Sequence, residues 1–167
     1  MNHMVFIRVF VMALMPFGIM SCSASGTDPC PLLTLSEVQD IVPGATKTQW
    51  HPRSTSAAGD NDLCIWSDAS GADMLYMFLF TQTTMSPIDH MDHAMGDTPY
   101  ERVLMDDVGE LAVASFISQP YKNLALFEAK QGSTIIGFRV FDTSIPNEDD
   151  ENFLKLKDMA NNAFRRL

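Results

Sequence analysis

Two histidines, three methionines and three aspartates share fifteen positions of this chain, TTMSPIDHMDHAMGD at 83–97. Thioethers are soft ligands suited to Cu(I), and imidazoles suit Cu(II) or zinc. Met85, His90, Met91, His93, Met95 and Asp97 are therefore the candidate metal ligands, with copper the first ion to consider. Backbone conformation decides what they can do. As a flexible loop, the segment could wrap a copper ion in mixed thioether and imidazole ligands. As a helix, it separates them. Ser86 is a good N-cap, Pro87 fits the first helical position, and Asp89 completes a capping box, so the spacing predicts a helix from Pro87 to about Met95. At about 100° per residue, Ile88, Met91 and Met95 form one stripe and His90, His93 and Asp97 lie roughly opposite. The helical reading makes the methionines core-filling side chains and the histidines a solvated face. His90 and His93, with Asp97, would then grip a divalent ion only weakly.

Other candidate chemistry is sparse. Asp106, Asp107 and Glu110 could act as paired acids, but a solvated turn before a strand accounts for them more simply. His51, between Trp50 and Pro52, reads as a loop histidine. NEDDE at 147–151 lacks the spaced oxygen ligands and glycine of a calcium loop, and helix-terminus electrostatics explains it. The chain carries no nucleophile elbow, phosphate loop or zinc-protease helix motif. The expectation is a non-enzymatic protein with no catalytic residues.

The address is written more clearly. Val9 to Met20 is an apolar run behind Arg8, too short to span a bilayer as a mature helix, and it reads as a secretory signal peptide over 1–21. Ile19-Met20-Ser21-Cys22 resembles a bacterial lipobox, which implies that Cys22 takes a diacylglycerol and becomes the mature amino terminus. Residues 22–29 are then a lipidated tether and 30–167 a single domain. The three cysteines agree with this. With Cys22 acylated, Cys30 and Cys64 remain as a pair for a disulfide, which exported proteins favour. Without Arg8 the chain has 10 basic against 21 acidic residues, a net charge of −11. Nucleic-acid binding needs a basic face to neutralise phosphates and is excluded. An acidic surface also gains nothing from anionic headgroups, so membrane attachment falls to the acyl chains. The expected place is the bacterial envelope, facing the periplasm or exterior, with an unknown envelope protein or small ligand as partner.

The elements that must position these residues are legible in part. Thr34 and Glu37 stand at capping-box spacing, flanked by Leu33 and Val38 at staple spacing, and Pro43-Gly44 stops the helix. A short helix is expected over Leu35 to Val42, packed by Leu35, Val38 and Val42. Strands are expected at Thr46–Trp50, Leu63–Ser67, Met74–Thr81, Glu110–Ser118, Leu124–Lys130 and Ser133–Phe141. A loop is expected at Arg53–Asp62, a turn at SQPYKN, and a hairpin at Gln131-Gly132. Asn147 should cap a last helix on which Phe153, Leu156, Met159, Ala160, Ala163, Phe164 and Leu167 recur at helical spacing. The fold class is α+β: a mostly antiparallel sheet with a short N-terminal helix, an inserted short helix and a C-terminal helix packed on one face.

Several segments together resemble a known family. They are the lipobox Cys22, PCPLLTLSEVQDIVPG with Cys30, Leu33, Glu37 and Val38, CIW with Cys64 and Trp66, VGELA, KQGSTII and LKLKDMANNAFRRL. This order is similar to that of small secreted bacterial lipoproteins of unknown function, best known in actinobacteria, with a Mog1/PsbP-like sheet-and-helix fold. The resemblance implies a fold and an address and carries over no catalytic residue. HMDHAM separately resembles the Met/His-rich repeats of periplasmic copper-handling proteins. The expected function is therefore a lipid-anchored binding or accessory module without a resident cofactor. Copper or other metal handling through His90–Met95 is the first alternative, and an acidic inhibitor of a basic hydrolase the second.

Overall fold

A computed structural model describes residues 28–56, 59–81, 83–117, 123–141 and 143–167. The expected signal peptide, Cys22 and most of the SQPYKN turn lie outside the described residues. Seven strands form one antiparallel sheet: β1 Lys47–Ser56, β2 Gly59–Ser67, β3 Asp73–Phe80, β4 Tyr100–Met105, β5 Leu111–Ile117, β6 Asn123–Gln131 and β7 Thr134–Val140. Their order across the sheet is β1-β2-β3-β7-β6-β5-β4. Two meanders therefore meet at the β3–β7 seam. The chain between β3 and β4 must cross the sheet to reach the far edge, and α2 (Pro87–Met95) lies on that crossing. The other helices are α1 (Leu35–Gln39) and α3 (Glu151–Arg166).

Strand alternation assigns the faces. One face carries Cys64, Leu75, Met77, Ala112, Ala114, Phe127 and Phe138 into a continuous core with Val38 of α1 and Phe153, Leu156 and Met159 of α3. The Phe153 ring lies 5.7 Å from both Phe116 and Phe127. The opposite face carries Val113 and Leu126 into a small cluster with Met91 of α2. The helices thus lie on both faces rather than one. Helices α1 and α3 cover the first face and α2 the second. No helix among the described residues is long and apolar enough to cross a membrane.

The first helix is anchored by polar bonds at its N-terminal turn. Thr34 Oγ1 accepts from the Glu37 amide, and Glu37 Oε2 accepts from the Thr34 amide. Arg166, at the end of α3, grips both oxygens of Glu37 at 2.7 and 2.8 Å. That guanidinium, with the Thr34 bonds, holds the Glu37 pKa down to about 2. The helix is shorter than expected, and Leu35 is 40% exposed instead of packed. The Cys30–Cys64 disulfide joins the turn before α1 to β2.

Three further differences have local causes. The segment expected as a loop at Arg53–Asp62 is mostly strand, because the β1–β2 ladder resumes at Ser54–Asn61 after an irregularity that takes in Pro52. Proline has no ladder donor and settles at such bulges. His51 accordingly sits in β1, opposite Leu63. Strand β4 was not expected at all: it is an edge strand that exposes Glu101, Arg102 and Leu104, and its apolar run is only the three residues Val103–Met105. Finally, Asp150 rather than Asn147 caps α3, accepting from the Asn152 amide at 2.9 Å. Asn147 instead bonds the Asp149 amide in the preceding turn.

Candidate functional site

The α2 helix follows its sequence signals. Ser86 Oγ accepts from the Asp89 amide at 3.1 Å, and Gly96 ends the helix with a φ of 54°. Polar ties fix it over the sheet from three sides. Lys130 Nζ donates to the Met85 carbonyl at 3.0 Å, and the Thr83 amide donates to the Ser133 carbonyl at 2.9 Å. On the β4 side, Asp92 accepts from Tyr100 and Arg102.

The third tie is buried. His90 Nδ1 and Glu128 Oε1 lie 2.5 Å apart, with His90 5% and Glu128 1% exposed. This corrects the expected solvated face. His90 turns inward beside Met91, while His93 and Asp97 do face solvent. The cause is Glu128, which β6 directs onto the same sheet face as Leu126. A buried carboxyl needs a hydrogen-bond partner, and α2 supplies one by rotating His90 inward at the expense of Ile88, which stays half-buried. Gly137, opposite Glu128 in the ladder, makes room for it: a Cβ there would stand 3.3 Å from Glu128 Cγ. Burial pushes the Glu128 pKa up, and the hydrogen bond and charge of His90 act against that shift.

Beside this pair lies a cavity of about 390 Å³ between α2 and strands β2, β3, β6 and β7. His90, Glu128 and Asn61 supply its buried polar lining, and Phe78, Phe80 and Leu126 its apolar wall. Arg139 and His93 stand at its solvent edge. Among the described residues, Asn61 Oδ1, His90 Nε2 and Glu128 Oε2 have no hydrogen-bond partner although all are buried. A hydrogen-bonded acid–base pair of this kind can bind a polar head and exchange a proton with it.

The proposed metal ligands do not assemble as a set. His90, His93 and Met95 border the cavity, with Ser115 Oγ donating to Met95 Sδ at 3.6 Å. Met91 is buried against Val113 and Leu126, and Met85 and Asp97 are exposed away from it. Among the described residues no group of three or more His, Cys, Asp or Glu is placed to hold a metal ion. Asp107 bonds Lys157 Nζ at 2.5 Å and ties its turn to α3, and Asp106 and Glu110 are exposed. Trp66 is core, while Trp50 is 38% exposed. Sequence reasoning missed Glu128, Asn61 and Arg139. The available signal was an acidic residue, Glu128, interrupting the apolar run Leu124–Ala129. Compared with protein-family models, curated proteins and solved structures, the chain matches none.

Proposed function

We propose that the protein is a non-enzymatic binding module, lipid-anchored at a bacterial envelope through Cys22, which takes a small organic ligand into the cavity beside α2. One observation carries the reading: three residues on three different elements line the same cavity, and each carries a buried polar atom with no partner among the described residues. Each such atom costs about 1–3 kcal/mol, and the space is within the size range of small-molecule sites. A ligand head that bonds them recovers that cost. Screening the intact chain by thermal shift against small molecules with cationic, neutral and anionic heads tests the site. Stabilising compounds with a cationic head should lose most of their effect in Glu128→Gln, and a screen without any stabilising compound rules the site out.

The anchor rests on the lipobox-like Ile19–Cys22 and on a Cys30–Cys64 bridge of the kind oxidising compartments favour. Growth with an alkyne-bearing fatty acid should label the chain and place it in the membrane fraction. Label that persists in Cys22→Ser would refute the anchor.

A second reading, metal handling, is favoured by the free Nε2 of His90. Its Nδ1 is held by a carboxylate, as in many metal-binding histidines, and His93 and Met95 border the same cavity. Titration with Cu(I), Cu(II) and Zn(II) tests it, and binding unchanged by His90→Ala/His93→Ala removes it.

A further inference from the structure

The identity of the unpaired atoms narrows the ligand class, on the reading that the cavity beside α2 is a ligand site. Asn61 Oδ1 and Glu128 Oε2 are oxygens. When His90 donates its Nδ1 proton to Glu128, its Nε2 is a third acceptor. When Glu128 holds that proton on Oε1, His90 Nε2 becomes a donor, but both oxygens still accept. Among these three atoms acceptors therefore outnumber donors in either arrangement. A carboxylate or phosphate head would meet two like-charged or electron-rich oxygens, and a hydrocarbon would leave all three atoms unpaired. A head with several N–H donors satisfies them.

The surroundings agree. Phe78 and Phe80 border the cavity, and aromatic rings favour a nearby cation. The chain carries a net charge of −10, which draws cations toward it. Arg139 is the cation on the rim, and its guanidinium sits 5.4 Å from the Phe141 ring centroid. It disfavours an ammonium at the mouth and so favours a seat at Glu128 and Asn61. We infer that the cavity takes a primary organic amine, its ammonium on Glu128 Oε2 and Asn61 Oδ1 and its apolar body against Phe78, Phe80 and Leu126.

Calorimetric titration of the intact chain with phenethylamine, 2-phenylethanol and 3-phenylpropionate tests this, because the three share one apolar body and differ in the head. The amine should bind at least tenfold more tightly than the alcohol, and the carboxylate most weakly. Glu128→Gln should weaken the amine at least tenfold and leave the alcohol within threefold. If that variant does not fold, Asn61→Ala carries the same direction of change, and the comparison of heads needs no variant. Equal affinities, or preference for the carboxylate, would overturn the amine and leave the cavity as a ligand site. Absence of binding by all three would overturn both.

Discussion

Replacing His90 by Phe tests whether Glu128 is a buried, partnered carboxyl. Phenylalanine keeps an aromatic ring beside Phe80, whose centroid lies 4.3 Å from that of His90, and its larger ring has the adjoining cavity to enter. The substitution removes the hydrogen bond while keeping an aromatic contact. Glu128, at 1% exposure, is left with no partner on either oxygen. Breaking a buried pair costs about 3–5 kcal/mol if the remaining group stays charged. Glu128 can escape part of that by taking a proton, which leaves an unpaired neutral acid at about 1–3 kcal/mol. The expected loss at neutral pH is about 3 kcal/mol. Its pH dependence has a definite sign. Burial raises the folded pKa of Glu128 above its ordinary 4.5, and loss of His90 removes the opposing influence. The native state then keeps a proton that the unfolded state has lost, so stability falls as pH rises from about 4.5 through the raised value. Urea unfolding of parent and variant at pH 4.5, 6 and 7.5 reads the difference. The penalty should be smallest at pH 4.5, and His90→Phe/Glu128→Leu should be more stable than His90→Phe alone. A penalty under about 0.5 kcal/mol, or one that does not grow with pH, would refute the buried pair.

Other perturbations probe other joints. Cys30→Ala/Cys64→Ala should lower stability by about 4 kcal/mol by releasing a loop of 34-residue separation, measured by urea unfolding without reductant. Gly109→Ala should cost about 3 kcal/mol, since φ is 62° and a Cβ would meet the Lys130 carbonyl at 2.4 Å. Gly109→Asn should rescue little of it, because the clash outlasts the backbone preference. Gly132→Asn, at a similar φ of 58° but with nothing within 4 Å, should fold with near-parental Tm. Glu37→Gln should cost about 1 kcal/mol at pH 7, kept modest because Arg166 reaches solvent. Its folded pKa is lowered, so the difference from the parent should shrink as pH falls from 4.5 toward about 2 in acid titrations.

What was legible from sequence follows one physical division. Segments governed by neighbours in the chain were readable: the Ser86-Pro87-Asp89 start of α2, the Thr34–Glu37 box and the Gln131-Gly132 hairpin depend on bonds within four residues. The cysteine pair was readable by counting. The site depends on contacts between distant residues. Periodicity placed His90 opposite the Met91 stripe, but a partner 38 residues away decides its direction. Strand β4 is held by the β5 ladder and by Asp92, so its own residues carry little strand signal. The stretch 53–62 is polar enough for a loop, yet backbone pairing with its own return strand extends the hairpin through it.

The two sheet faces also differ in how firmly they are covered, and this bears on ligand entry. Helix α3 buries Phe153, Leu156, Met159, Ala160 and Ala163 in a core continuous with α1 and the sheet. Helix α2 buries few apolar side chains, chiefly Met91 with Val113 and Leu126, and relies on polar ties at Met85, His90 and Asp92. Lifting it would expose two or three apolar side chains at about 1.5–3 kcal/mol each. That sum, about 3–9 kcal/mol, lies in or below the lower half of the stability of a typical domain, about 5–15 kcal/mol, whereas α3 buries five side chains. Helix α2 should therefore open locally while α3 opens only with the whole domain. Hydrogen exchange should show α2 amides at least tenfold less protected than the central amides of α3. A ligand at 100 times its Kd should add about 2.7 kcal/mol to the closed state, slowing α2 exchange roughly hundredfold. Equal protection of both helices would mean that α2 lifts only on global unfolding, and the ligand would then have to enter along the solvent edge marked by Arg139 and His93.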